Sequence, residues 1–366
     1  MPIMDSDEQG KPVRLNAGLC RAFACLSGLF AFAAVAAVPP RFPSGAVWHQ
    51  RVDTAPVHPN STAMLSTLSG LGGWGNGNRF QIDFSIHVSV AGSGAPVFPV
   101  VEHPSYGYYS PDCDALPASM PVPVGAMFEG QVNPGAFTCS GGDCHLLIAQ
   151  GNLLYEAYAA DFNGSEIETL CLAVWDLNVV YPPEGRGDHC TSADAAGFPI
   201  APLLFNADEV AAAVSARNDS DLGHAIRFIL PNDRMASDGG PLYVRPATHA
   251  GGPSGPSGSV PYGSRMRLKS SFDMTSFNAA EQVILRTMQR YGIVLADGGN
   301  IALTGQSDVH TTAKWADLNI DSHSLIGVEV TDFEIIDTGP RIPETYDCVR
   351  SSVVPGQGLF ADGFED

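Results

Sequence analysis

The chain has 366 residues, of which 39 are Asp or Glu and 19 are Lys or Arg, so its formal net charge is −20. An anionic surface repels phosphate backbones and anionic lipid headgroups, which argues against nucleic-acid binding and against peripheral attachment to a membrane. No charged or low-complexity linker divides the sequence, so we expect a single main domain.

The first feature along the chain is an uncharged apolar run over residues 22–38, which follows Lys11, Arg14 and Arg21. The run is shorter than the roughly 20 residues of a membrane helix, and it ends in small residues, as signal-peptidase sites do. We therefore predict a signal peptide over residues 1–37 and a mature protein that is secreted or lies in the periplasm or at the cell surface. No later apolar run approaches the length of a membrane span, so we expect no membrane insertion of the mature chain.

Apolar and polar side chains alternate over residues 79–90, which predicts a half-buried β-strand. Two helices are predicted from capping boxes, one at Asn206 with Glu209 and one at Asn278 with Glu281. Further strands are predicted over residues 145–149, 152–158, 171–177, 224–230, 241–245, 265–270, 293–297 and 326–336. This pattern predicts an all-β or β-rich α+β fold, a β-sandwich or jelly-roll-like domain over residues 38–345 with two or three short helices.

The cysteines of the chain indicate disulfide bonds. Cys20 and Cys25 lie in the predicted signal peptide, and the other six are Cys113, Cys139, Cys144, Cys171, Cys190 and Cys348. An even number of cysteines in an exported chain predicts up to three disulfides. One arrangement joins Cys139 to Cys144 across a tight turn, Cys171 to Cys190, and Cys113 to Cys348. The sequence does not choose between this and other pairings, and a thiolate metal site is the alternative.

Several enzyme signatures are absent from the sequence, namely GxSxG, HExxH, the Walker A loop and a Rossmann glycine pattern after a strand. We therefore expect no nucleotide partner and no organic cofactor. A bound structural calcium ion remains an alternative. Oxygen-bearing side chains alternate in two loops that are not EF-hands, and two further aspartates flank a cysteine. The candidate ligands are Asp317, Asn319 and Asp321, then Asp161, Asn163 and Ser165, and finally Asp112 and Asp114.

Hydrolysis of a glycosidic bond uses two carboxyl groups, one as acid and one as base or nucleophile. We take Asp176 and Asp194 as this pair, because Asp176 follows Trp175 at a predicted strand end and Asp194 lies in a loop held by Cys190. The alternatives are a turn at the strand end for Asp176 and a helix cap for Asp194.

A polysaccharide lyase fits the same region, since it needs a cation beside a uronate and a His or Tyr that removes the adjacent proton. His249, Arg245, Arg227 and Tyr243 would supply these groups, whereas a core role is the alternative for His224 and His145. The predicted catalytic residues are Asp176, Asp194, His249, His224 and Arg227, and the predicted substrate-binding residues are Asp143, His145, Trp175 and Tyr243.

Five blocks carry a resemblance to a family of exported bacterial and fungal proteins that share TSADAAG-x-PI, HA-[IL]-RF, an RLK block and YG-x-x-LAD-[NG]-G. The blocks lie at residues 190–205, 224–235, 243–252, 261–273 and 290–304. The resemblance implies a single exported domain and assigns no catalytic residue. Residues 346–366 end in FADGFED, which resembles a C-terminal ending of exported gammaproteobacterial proteins. We interpret this segment as a sorting tail, and a disordered acidic end is the alternative.

Together these observations predict an exported protein that acts on extracellular polysaccharide, by glycoside hydrolysis with paired carboxylates. A polysaccharide lyase is one alternative. Another is a non-catalytic carbohydrate-binding, adhesion or structural envelope protein, in which the polar face of the strand over residues 79–90 would bind sugar beside Trp74.

Overall fold

The computed structural model describes residues 40–133, 137–216 and 219–351. The predicted signal peptide, and residues 352–366 of the predicted tail, lie outside the described residues. Along the described part of the chain, no helix is both long enough and apolar enough to cross a membrane.

The secondary structure is rich in short strands. The helices are α1 (Ser61–Gly70), α2 (Gly75–Asn78), α3 (Ala207–Ala216) and α4 (Ala279–Arg290). The strands are β1 (Ile82–Ile86), β2 (Val88–Val90), β3 (Val97–Glu102), β4 (Ala118–Pro121), β5 (Leu146–Gln150), β6 (Leu153–Tyr158), β7 (Asp161–Phe162), β8 (Ile167–Thr169), β9 (Cys171–Asp176), β10 (Gly187–Asp188), β11 (Ile226–Leu230), β12 (Leu242–Tyr243), β13 (Arg265–Leu268), β14 (Ile293–Gly298), β15 (Leu303–Gln306), β16 (Phe333–Ile335), β17 (Ile342–Pro343) and β18 (Val349–Arg350).

The strands form several open sheets, which confirms the β-rich α+β class. The largest sheet is mixed and has the order β1-β15-β11-β14-β13-β16, with β1 parallel to β15 and β11 parallel to β14. A four-stranded sheet has the order β2-β5-β6-β9, and a second has the order β4-β3-β8-β7. Two strand pairs, β10-β18 and β12-β17, complete the described topology.

The sheet β2-β5-β6-β9 is buried on both faces, which explains why its strands read as continuous apolar runs. On β5, Leu147 belongs to the same core as Phe228 of the six-stranded sheet. Its neighbour Ile148 points the other way, into a second core that contains Val100 of β3. This sheet is therefore a middle layer between the other two.

Both predicted helix starts are confirmed, and both follow from reciprocal capping. The Asn278 side chain accepts hydrogen bonds from the backbone N–H groups of Ala280 and Glu281, and Glu281 accepts one from the Asn278 N–H. At α3, Asn206 and Glu209 exchange the same pair of bonds at 2.8 and 2.9 Å. Helix α4 packs on β13 and α3 packs on α4.

The predicted strand over residues 79–90 is two strands in two sheets. Ile86, at the end of β1, pairs with Gln306, whereas Val88 at the start of β2 pairs with Leu147. Between them His87 is buried, and its Nε2 donates a hydrogen bond to the carbonyl oxygen of Gln131 at 2.8 Å. The alternating pattern continues through His87 in the sequence, but the chain changes sheets there, so the polar side chains of residues 79–90 do not lie on one face of a single sheet.

The disulfides join Cys113 to Cys171, Cys139 to Cys144, and Cys190 to Cys348. The pairing predicted across the tight turn, Cys139 with Cys144, is confirmed. The other two pairings of that arrangement, Cys171 with Cys190 and Cys113 with Cys348, are wrong. The Asp114 N–H donates to the Leu172 carbonyl, which holds the turn at Cys113 against the start of β9. Pairing of β18 with β10 brings Cys348 to Cys190 instead.

Candidate functional site

A cleft of about 590 Å³ lies where the six-stranded sheet meets the end of β6. We call it the tyrosine cleft, because four tyrosines contribute to its walls. Its lining comprises Tyr109, Asp112, Tyr158, residues 191–193, Ala195, Asn232, His249, Gly251, Gly252, Tyr262, Asp297, Gly298 and Tyr346. Among these described lining residues there is no Lys and no Arg. The cleft therefore presents aromatic rings and neutral or acidic polar groups.

Two parallel strands bring polar side chains to the floor of the tyrosine cleft. Asp297 lies near the carboxyl end of β14, and Asn232 follows the carboxyl end of β11. The pairing register shifts between Phe228 and Ile229, so that Ala296 has no partner across the ladder. Its carbonyl accepts the Ala196 N–H at 2.8 Å instead, which places the loop around residue 194 against this edge of the sheet.

Beneath the floor, the guanidinium of Arg227 binds three side chains. Its Nε donates to Asp194 at 2.6 Å, its Nη2 to Asp297 at 3.2 Å, and its Nη1 to the Thr304 hydroxyl at 2.8 Å. The Arg227 side chain is buried, whereas 24% of the Asp297 side chain is exposed. Asp297 also accepts a hydrogen bond from the Gly298 N–H at 2.7 Å. Asp297 thus has the partners of an ionised carboxylate and reaches the cleft.

The other carboxylate on Arg227 is not a cleft residue. Asp194 is fully buried, and its Oδ1 has no hydrogen-bond partner among the described residues. Burial raises the pKa of the Asp194 carboxyl to about 7, against the opposing effect of Arg227. Asp194 therefore holds Arg227 in place beneath the cleft and does not itself line it.

A second ion pair supports the same loop from the middle sheet. The Nδ1 of His145 donates to Glu129 at 2.7 Å, and its Nε2 donates to the Ala193 carbonyl at 2.9 Å. Burial works to lower the pKa of His145, but Glu129 outweighs it and raises this pKa to about 9. Both ring nitrogens carry protons in this arrangement, so His145 is a positioning cation under Ala193 and not a free base.

His249 itself lines the cleft. Its Nδ1 donates to the Ala195 carbonyl at 2.7 Å, which assigns the proton to Nδ1 and leaves Nε2 as the basic nitrogen. The ring lies 5.4 Å from that of Tyr346. The Tyr346 hydroxyl donates to the carbonyls of Ala250 and Gly251 at 3.3 and 3.2 Å. Tyr346, the first residue of the predicted tail, is thus part of the cleft wall.

Tyr158, Tyr262 and Tyr346 remain protonated at neutral pH, so their hydroxyls can donate hydrogen bonds and their rings offer stacking surfaces. Burial raises the pKa of Tyr158 to about 12 and raises that of Tyr262 further. The Tyr262 hydroxyl lies 3.5 Å from Oδ1 of Asn232. Aromatic faces beside planar polar groups suit a sugar ring, which has apolar C–H faces and a rim of hydroxyls.

Of the residues predicted from the sequence, the structure gathers four around the tyrosine cleft. His249 lines it, and Asp194, Arg227 and His145 lie beneath it. Asp176 lies apart at the end of β9, where its Oδ1 accepts the Asn178 N–H at 2.8 Å in a turn. Asp176 and Asp194 share no hydrogen-bond partner in the described part of the chain.

The remaining predicted residues also lie outside the cleft. His224 is buried beside Arg41 and Glu209, with 2.8 Å between its Nε2 and the Arg41 guanidinium. Trp175 is buried and donates to Glu156 at 3.0 Å. Asp143 is exposed in the turn before β5, and Tyr243 is buried beside Arg245.

Cleft residues missed at the sequence level include Asn232, Tyr262, Asp297 and Tyr346, and Asp112 was considered there only as a calcium ligand. A signal existed for two of them, because Asp297 and Asn232 each end or follow a predicted strand. Parallel neighbours end at one edge of a sheet, so two such polar ends would meet. That β11 and β14 are parallel neighbours was not readable from their patterns.

The candidate calcium ligands have other partners. Asp114 pairs with Arg186 and Arg350 at 2.7 and 2.8 Å, and Asp161 accepts the Cys139 N–H at 2.8 Å. Asp321 accepts the His323 N–H at 2.7 Å. Among the described residues, no group of three or more His, Cys, Asp or Glu side chains is arranged to hold a metal ion.

Comparisons of the chain with protein-family models, with curated proteins and with solved structures found no match.

Proposed function

We propose that the protein works outside the cytosol and hydrolyses a neutral polysaccharide bound in the tyrosine cleft. The observation that carries the proposal is the joint presence of two carboxylates, Asp112 and Asp297, with four tyrosines in one cleft. Three disulfides support an oxidising location. The absence of Lys and Arg from the described lining favours an uncharged glycan over a uronate, so a lyase is the weaker candidate.

In this proposal Asp297 is the ionised carboxylate, acting as base or nucleophile. Arg227 supplies its counter-charge from below, and Asp194 and Thr304 hold Arg227 in place. Asp112 is the second carboxyl and donates the proton to the leaving oxygen. The Thr191 N–H fixes one oxygen of Asp112 at 2.9 Å, and Thr191 itself lines the cleft.

His249 and the tyrosines bind and orient the sugar. The Nε2 of His249 is an acceptor for a sugar hydroxyl, because Nδ1 carries the proton. The rings of Tyr158, Tyr262 and Tyr346 offer faces on which sugar rings stack.

The test measures new reducing ends on a panel of neutral polysaccharides, together with binding by isothermal titration calorimetry. For Asp297→Asn and Asp112→Asn we expect hydrolysis to fall about 100-fold or more while binding persists. Asp176→Asn is the matched control, since it removes a carboxylate outside the cleft, and it should leave hydrolysis unchanged.

Two results would contradict this function. Loss of hydrolysis in Asp176→Asn with full activity in Asp297→Asn would move the catalytic site away from the cleft. Binding of a glycan without new reducing ends would replace hydrolysis by non-catalytic carbohydrate recognition, in which case Tyr262→Ala should weaken binding and Asp297→Asn should not.

A further inference from the structure

A second cavity, of about 490 Å³, lies apart from the tyrosine cleft and shares no lining residue with it. We call it the aromatic cavity. Five rings contribute to its walls, those of Phe42, Trp48, Trp175, Tyr181 and Phe198. They pack edge to face, with 4.8 Å between the centroids of Trp48 and Phe198 and 6.1 Å between those of Phe42 and Trp175. Cavities of this size and polarity hold small molecules in other proteins.

One charged group in this apolar lining is unusual. Arg265 is 3% exposed, and its guanidinium donates to the carbonyls of Tyr291, Val47 and Gln50 at 2.7, 3.0 and 2.8 Å. No acidic side chain of the described residues forms an ion pair with it. Burial alone lowers the pKa of Arg265 to about 10, with no opposing effect from a carboxylate.

The other fully buried arginines are compensated. Arg227 pairs with Asp194 and Asp297, and Arg186 pairs with Asp114. A buried cation is costly without an anion nearby, because the low-polarity surroundings do not solvate its charge. Arg265 is therefore the exception, and it is the one of the three that lines an accessible cavity.

The cavity lining holds three further charged side chains. Arg51 and Arg245 contribute to the lining, each already bonded to an aspartate, and Asp337 is the acidic residue of the lining. A guanidinium has five N–H donors, so Arg265 keeps donors for a ligand beyond the three that bind carbonyls.

We propose that the aromatic cavity binds a small amphipathic carboxylate, whose hydrocarbon part lies among the aromatic rings and whose anionic group compensates Arg265. The ligand chemistry follows from the two halves of the lining. Apolar walls favour a hydrocarbon, and a planar guanidinium favours a carboxylate with two oxygens. The site is independent of hydrolysis in the tyrosine cleft.

The test follows the tryptophan fluorescence of the protein, to which Trp48 and Trp175 of the cavity contribute, during titration with octanoate, 1-octanol and octylammonium. These three probes share a hydrocarbon chain and differ in the headgroup. We expect saturable binding of octanoate, at least about tenfold tighter than that of 1-octanol, because a hydrogen bond to a charged group contributes this much. Equal affinity for octanoate and 1-octanol, tighter binding of octylammonium, or no saturable signal would overturn the proposal.

Two sets of variants locate the binding. Arg265→Gln should reduce octanoate affinity to that of 1-octanol and leave 1-octanol binding unchanged. Val180 lines the cavity and is 49% exposed, so its replacement does not disturb the core. Val180→Glu should weaken octanoate binding about tenfold by charge repulsion, and Val180→Gln, of equal size and no charge, should not. If Val180→Glu binds octanoate as the unmodified protein does, the anion does not enter this cavity.

Discussion

The ion pair between His145 and Glu129 makes a pH-dependent contribution to stability whose size follows from the structure. Burial opposes the charge on His145, yet Glu129 raises its pKa from 6.5 to about 9, with Arg227 acting slightly against this. A shift of this size corresponds to about 3 kcal/mol. Glu129 has its own pKa lowered to about 2, against burial, by the same contact, so the two shifts are not added.

The sign of the effect is set by which state holds the proton more tightly. Because the folded protein binds the His145 proton more strongly than the unfolded chain, the contribution is fully present below about pH 6.5 and is lost as the pH rises through about 9. The variant His145→Gln lacks this dependence. We therefore expect it to be less stable than the unmodified protein by about 3 kcal/mol more at pH 6 than at pH 10.

The measurement is urea unfolding at pH 6, 8 and 10 with the disulfides intact. His323→Gln is the matched control, because the His323 side chain is exposed and its ring contacts a neighbouring serine hydroxyl rather than a carboxylate. A difference in unfolding free energy that stays constant between pH 6 and pH 10 would refute the reasoning.

Three further outcomes follow from the fold. Replacing Cys190 and Cys348 by Ser should lower the unfolding free energy by about 5 kcal/mol in urea titrations, since the bridge spans 158 residues. Asn278→Ala should cost about 1 kcal/mol by removing the cap of α4, measured in the same way. Gly197→Ala should reduce both stability and glycan binding, because Gly197 has φ +76° and an added Cβ would lie 2.0 Å from the Thr248 hydroxyl oxygen.

Each of these three predictions would be contradicted by a specific result. A loss of less than about 1 kcal/mol without the Cys190 bridge would mean that the unfolded chain gains little freedom from its removal. An Asn278→Ala variant as stable as the unmodified protein would mean that the cap does not stabilise α4. Asn278→Asp is the control and should preserve the stability, because Asp also caps helices. Wild-type glycan binding by Gly197→Ala would mean that the conformation of the loop over residues 191–198 does not affect binding in the tyrosine cleft.

Local features were readable from the sequence because short-range interactions determine them. The capping boxes at Asn206 and Asn278 and the strands β5, β6 and β9 were predicted from neighbouring residues alone. Helix α1 was missed, since STAMLSTLSG contains Ser, Thr and Gly, which have weak helix propensity. It forms because Met64, Leu65 and Leu68 are buried in the main core, a long-range effect.

The candidate site was predicted in part for the same reason. Polar residues within strands, at strand ends and in the joining loops pointed to Asp194, Arg227, His145 and His249, and these do lie around one cleft. The choice of carboxylates depended on which strands are neighbours, and chain order does not encode that. Asp297 reaches the cleft because β14 lies parallel to β11, whereas Asp176 ends a strand of the middle sheet.

The chain passes from one sheet to another at His87, and this connection affects how the protein unfolds. Because β1 and β2 are separated by a single residue and belong to different sheets, neither sheet can lose its edge strand without pulling on the other. The two sheets also bury side chains in one core. Amide hydrogens of both sheets should then exchange with solvent through the same global opening, as one cooperative unit.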